Sequence, residues 1–210
     1  MDHDTPDPLA LAPARIHEAE GPGRHAFAVF QAARHPGPVF WIRIARSLWT
    51  PFPGGLPPGL TARLQMIRPR TDTDLLWATE EALRAHITGF VLAEPERPLS
   101  LTAGRRLQLA AEAGRTTGLL LIRHGAGSNA TESRWHCAPL PATQPGMARQ
   151  RWARIKNKRG VLGEWSPEWR PSDLASPDLK RSDLPSLGMA AAEGAGQTQT
   201  PRKQLFPGGL

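Results

Sequence analysis

The sequence predicts an α/β fold with a mainly parallel central sheet, helices on both faces and antiparallel strands at its C-terminal edge. Short apolar runs bounded by Gly or Pro, namely PVFWIRI (38–44), RLQMIRP (63–69), GFVLA (89–93) and GLLLI (118–122), read as buried strands. Stretches with helical spacing lie among them at 24–34, 72–86 and 101–114. Such alternation implies right-handed crossovers between parallel neighbours. After residue 125 the helices stop. SRWHCAPL (133–140), RQRWARIK (149–156) and VLGEWSPEW (161–169) follow one another across short turns at 142–146 and 157–160, which predicts the antiparallel edge.

The elements follow in order. The run Arg15-Ile16-His17-Glu18-Ala19 reads as a first strand, and EGPGRHAF (20–27) as a Gly-rich turn leading into the helix at 24–34. In 72–86, Leu75, Leu76, Ala82 and Leu83 share one face, and Asp72 and Asp74 stand near the start, where the helix dipole favours acids. In 101–114 the apolar stripe is Leu101, Leu107, Ala110, Ala111 and Ala113, with Ser100 or Thr102 as the cap. RWARIK alternates, with Trp152, Arg154 and Lys156 on one side and Arg151, Ala153 and Ile155 on the other, as on a partly exposed strand. Trp41 and Trp77 are expected in the core, and Trp165 and Trp169 on the surface.

Composition divides the 210 residues into three regions. Residues 1–14 read as a flexible acidic arm, with Asp2, Asp4 and Asp7 among prolines. Residues 15–170 carry the fold. Residues 171–210 are rich in Pro, Gly, Ser and Ala and too poor in apolar surface to offset chain entropy, so this tail is expected to be disordered. Gln204, Leu205 and Phe206 form an apolar-aromatic cluster near its end, in the pattern of a short docking motif. The net charge of +7 divides into −3, +10 and zero over these regions, so the folded part has a positive field that favours polyanions or acidic partner surfaces. The single cysteine, Cys137, excludes a disulfide framework and a Cys-rich zinc site. No run reaches the roughly 18 apolar residues of a membrane span, and the acidic start lacks the basic-then-apolar pattern of a secretory signal. A cytoplasmic setting is the expectation.

The Gly-rich turn raises the question of a nucleotide site. A working phosphate loop needs consecutive backbone N–H groups, a lysine and a hydroxyl that binds magnesium. Here Gly21-Pro22-Gly23 is short, Pro22 removes a donor, and Arg24-His25-Ala26 stands where Gly-Lys-Thr would be. Arg24 can hold an anion at a helix N-terminus, but nothing replaces the hydroxyl. Cys137 and His136 are adjacent on a strand and point to opposite faces, so they do not form a nucleophile pair. The seven histidines show no ligand spacing, and no metal site is expected. Glu80 and Glu81 read as the solvated face of a helix.

A loop after the first strand, four α/β units and antiparallel strands ending in a basic IKNK resemble the core of RecA-type P-loop ATPases. RIKNKRG (154–160) is similar to the segment of RecA that contains VKNK. GFVLAE (89–94) resembles the Walker B strand, with Glu94 in place of the magnesium-linked aspartate. HEAEGPGRHAF, LLWATEEALR (75–84), LSLTAGRRLQLAAEAG (99–114), RWHCAPLP and KNKRG…GEW together resemble the ImuA family, RecA-like and SulA-related proteins encoded beside bacterial translesion polymerase genes. The resemblance covers residues 15–170 and implies a degenerate nucleotide loop (Gly21, Gly23, Arg24, His25) and a Walker B-like Glu94 without function. Ala45 stands where RecA has its water-activating glutamate, and Arg123-His124 where it has a polar sensor. The segments matching its DNA-binding loops, EPERPLSL and GAGSNATES (125–133), are short, the first carrying two acids and the second no basic residue. No ATPase activity and no bound nucleotide are therefore expected.

Six cations crowd residues 149–159: Arg149, Arg151, Arg154, Lys156, Lys158 and Arg159. Protein contact, phosphate contact with Trp152 as a stacking platform, and protection of an edge strand by charge all fit this pattern. By the resemblance, Lys156 and Lys158 match lysines that reach across a RecA filament interface, implying a surface for protein contact or self-association. The resemblance further implies an adaptor in SOS-induced translesion mutagenesis and DNA repair. Its partners would be an ImuB-type Y-family-like protein, an error-prone DnaE-type polymerase and RecA, with recruitment to the nucleoid on DNA damage. DNA itself would be contacted directly or through these partners. The alternatives are a SulA-like inhibitor of the division protein FtsZ, which would make overexpressing cells filamentous, and a nucleotide-dependent DNA-binding switch, which ATP with magnesium would stabilise.

Overall fold

A computed structural model describes residues 7–47 and 51–170; the expected tail and its Gln204-Leu205-Phe206 cluster lie outside the described residues. Five strands alternate with helices in the first part of the chain. They are β1 (Ile16–Glu20), β2 (Val39–Arg43), β3 (Leu64–Ile67), β4 (Phe90–Glu94) and β5 (Thr117–Leu121). Between them run α1 (Arg24–Arg34), a short α2 (Pro58–Thr61), α3 (Asp72–Arg84) and α4 (Leu101–Gly114). Ser100 caps α4, its side chain accepting from the Ala103 N–H at 3.1 Å, and Thr71 caps α3 in the same way through Asp74. The last strands are β6 (Ser133–Leu140), β7 (Ala148–Asn157), β8 (Gly163–Trp165) and β9 (Glu168–Trp169).

The sheet order is β3-β2-β4-β5-β1-β6-β7-β8, with β9 also on β7. From β3 to β6 every pairing is parallel; β7 then runs antiparallel to β6, β8 and β9. β1 is thus internal, flanked by β5 and β6, and the loop that follows it opens at the carboxyl end of the parallel strands. In open α/β sheets that end is where ligands bind. β7 was expected at the edge, but β8 and β9 cover much of its outer side.

Strand alternation divides the core between two faces. On the α1 face, Phe27 and Phe30 meet Trp41, Trp135, Trp152, Trp165 and Trp169. Ring centroids lie 5.0 Å apart for Phe27–Trp152, 4.7 Å for Phe30–Trp152 and 5.4 Å for Trp152–Trp169. On the other face, Leu75 and Leu83 of α3 and Leu107, Ala110 and Ala111 of α4 cover Ile16, Ile42, Val91 and Leu120.

Several expectations need correction. Trp165 and Trp169 are buried because β8 and β9 fold them back onto β7, whereas Trp77 is 63% exposed. On α3 the buried positions include Leu75, Thr79, Ala82 and Leu83, and a residue two places after Leu75 turns about 200° away. On α4 the stripe is Gly104, Leu107, Ala110, Ala111 and Gly114, leaving Leu101 and Ala113 outside it. VLGEWSPEW forms two short strands, not one. Glu80 is buried and joins α3 to α4: its carboxylate meets Arg84 at 2.7 Å and Arg106 at 2.6 Å. The described part of the N-terminal arm is packed rather than loose. Leu9 and Leu11 are buried, Asp7 pairs with Arg34, and Gln31 donates to the Leu9 carbonyl at 2.8 Å.

Candidate functional site

The turn after β1 is closed by its own surroundings. Gly21 adopts φ +87°, a conformation that favours glycine, and a Cβ there would lie 2.4 Å from the Cys137 carbonyl oxygen. A Cβ on Gly23 would come within 2.5 Å of Gln150 Oε1. The Gly23 N–H donates to the Cys137 carbonyl at 2.9 Å, so β6 takes a donor that a phosphate would need. Arg24 folds back, Nη1 donating to the Gly21 carbonyl at 3.1 Å. The next concavity, about 290 Å³, is lined mainly by apolar groups, among them Val29, Phe52, Leu56 and Trp169, with His25 at its margin. Its lining suits an apolar contact better than a polyphosphate.

His25 and Glu94, both singled out from the sequence, meet here. His25 Nε2 lies 3.4 Å from Glu94 Oε2, and the Trp41 indole N–H donates to Glu94 Oε1 at 2.7 Å. Arg43 Nε approaches the same oxygen at 3.7 Å. Burial pushes the Glu94 carboxyl up, but the hydrogen bond and charge of His25, the charge of Arg43 and the Trp41 N–H outweigh it. The net effect is to hold the group below the usual carboxylate value. Glu94 is therefore not an unpaired remnant: it ties β4 to β2 and to the start of α1.

The basic segment is reorganised by a β-bulge. Across β6 and β7, Trp135 faces Arg154 while Arg134 faces Lys156, so Ile155 has no opposite residue. The extra residue moves Lys156 to the face opposite Arg154, against the alternation expected from RWARIK. Arg154 stacks on Trp135 and Trp165, its guanidinium carbon 5.2 and 5.1 Å from their centroids. Lys156 Nζ donates to the carbonyls of Ser128 and Thr131 at 2.9 and 2.8 Å, and Lys158 Nζ to that of Ala130 at 2.6 Å. These three cations bind their own chain. Trp152 is fully buried and offers no stacking platform. Arg159 is exposed but its Nε lies 3.8 Å from the buried Glu132 carboxylate, while Arg151 is exposed and Arg149 half-buried; Ile155, Val161 and Leu162 are exposed as well.

The carbonyls that hold Lys156 belong to a loop organised by Glu18 on β1. Glu18 is fully buried and accepts from the Ser128 N–H at 2.8 Å, the Thr131 hydroxyl at 3.0 Å and Arg134 Nε at 2.9 Å. GAGSNATES, matched from the sequence to a DNA-binding loop, is thus fastened to the sheet.

One grouping was missed entirely. Glu20, His124 and His136 place their ligating atoms within 4.8 Å of one another at the carboxyl end of β1, although their positions show no ligand spacing. Only the β1–β6 pairing, which sets Glu20 opposite His136, and the loop after β5 bring them together.

Fold and site define an α/β protein on a mainly parallel sheet, with a sealed turn after its central strand and a cation-rich hairpin at one side. The chain is 35% identical over 151 residues to protein ImuA from two strains of Caulobacter vibrioides, a match that covers 63% of this chain and 60% of each relative. The match thus spans about three fifths of the length of the curated relatives. No protein-family model matches the chain.

Proposed function

We propose that this chain is a non-catalytic, RecA-like assembly factor of bacterial translesion mutagenesis. It would act in the cytoplasm and reach the nucleoid when DNA is damaged. The similarity to ImuA supports the mutagenesis setting, and the parallel strand order with β1 internal supports a RecA-like core. The observation that carries the non-catalytic reading is the closed turn after β1. Its Gly23 N–H is engaged by Cys137, its glycines are packed against β6 and β7, and His25 meets Glu94 where a lysine and magnesium chemistry would stand.

Assembly then falls to the surface. Arg151, with Arg149 two residues before it on β7, and the exposed Ile155, Val161 and Leu162 combine charge with apolar area as interface centres do. Its partners are proposed as an ImuB-type Y-family-like protein and an error-prone DnaE-type polymerase, with RecA as a third. Pull-down of the folded chain with purified ImuB-type protein and with RecA tests this. Retention of at least one supports the reading; retention of neither overturns it.

A further inference from the structure

We propose that Glu20, His124 and His136 form a binding site for a divalent transition metal of the zinc and cobalt type. The three side chains come from separate elements: the end of β1, the loop after β5, and β6. Both imidazoles turn Nδ1 toward one oxygen of a buried carboxylate, Glu20 Oε1, at 2.8 Å from His124 and 3.3 Å from His136. Ligand atoms bound at ~2.1 Å in a tetrahedron are separated by ~3.4 Å, so small ring movements admit an ion. Glu20 Oε2 accepts from the Gly125 N–H at 3.1 Å, an outer contact that orients the carboxylate.

Two imidazoles and a carboxylate favour zinc, cobalt or ferrous iron over magnesium and calcium, which take oxygen ligands. On binding, each neutral ring carries its hydrogen on Nε2 and presents the Nδ1 lone pair to the ion. The His124 side chain is 77% exposed, so the fourth position opens to solvent and accepts water or a donor from a partner. A bound ion would clamp the loop after β5 to β1 and β6. The site borders the turn described above: a Cβ on Gly21 would lie 3.2 Å from His136 Cε1. It stands independently of the assembly role, which needs no metal.

The test is titration of the full chain with cobalt(II), followed by its visible ligand-field absorption and by competition with zinc. One cobalt per chain is expected. His124→Ala and His136→Ala should each weaken binding by more than the roughly 10–100-fold that loss of an outer-shell partner costs. His86→Ala, exposed and remote in sequence from the cluster, should leave it unchanged. Because His124 is largely exposed and Glu20 keeps its contacts to Gly125 and His136, its variant should still melt cooperatively without metal, which separates lost binding from lost folding. No cobalt uptake by the folded parent, or uptake indifferent to His124→Ala, would overturn the proposal and leave a hydrogen-bonded imidazole–carboxylate cluster only.

Discussion

Arg134 Nε donates to Glu18 Oε2 at 2.9 Å, joining β6 to a carboxylate that is fully buried on the neighbouring β1. That carboxylate also holds the Ser128 N–H and the Thr131 hydroxyl, so one side chain organises the loop that caps Lys156. Glu18→Ala leaves the Arg134 charge without its buried partner. The expected loss is roughly 3–5 kcal/mol, the range for breaking a buried pair from one side. Urea unfolding measures it, and a loss below ~1 kcal/mol would contradict the role given to Glu18.

Acid stability should depend on His17. Its Nδ1 lies 2.7 Å from Ser133 Oγ and its Nε2 3.0 Å from the Ala12 carbonyl, and burial pushes its pKa from 6.5 down to about 4. Between these values the unfolded chain binds a proton that the folded chain refuses. Stability therefore falls as pH drops from 6.5 toward 4, by up to roughly 3 kcal/mol from this group. Unfolding curves at several pH values, compared with those of His17→Gln, check it: the variant should lose part of the slope within that window.

Gly21→Ala should destabilise the protein by more than about 1 kcal/mol, since it places a Cβ against the Cys137 carbonyl at positive φ. Thermal melting reads the effect. Millimolar ATP with magnesium should shift neither the parent nor Arg24→Ala, because Arg24 already turns onto Gly21. An ATP-dependent rise in the parent would count against a sealed turn.

The basic segment should separate by role. Arg151→Glu is expected to weaken retention of the assembly partner with little change in melting, since Arg151 is exposed. Lys156→Ala should instead lower stability by about 1 kcal/mol or more, through loss of charge-assisted bonds to Ser128 and Thr131. Trp152→Ala should cost about 3–5 kcal/mol, as other large core truncations do. If Lys156→Ala abolishes binding without affecting stability, the internal role assigned to it is wrong.

The helices at 24–34 and 101–114 and the strand at 133–140 were legible to the residue, because apolar periodicity and the Ser100 cap act within one element. The Gly-rich turn was legible too, since Gly21, Pro22 and Gly23 are local facts of chemistry. Tryptophan burial was not. Apolar character alone did not say that Trp77 lies off the buried stripe of α3, or that β8 and β9 turn Trp165 and Trp169 onto α1.

Composition and short-range pattern thus settled most of the helices and strands and the Gly-rich turn after β1, because these follow from residues within one or two helical turns. The folded chain alone settled which cations are tied to their own chain, which acids are buried and which histidines meet. Register and the bulge at Ile155 put Lys156 and Arg154 on opposite faces, and strand order brings Glu20 to His136 and His124 from more than a hundred residues away. Such contacts depend on pairing between distant strands, and a single added residue in one strand reverses every side chain beyond it.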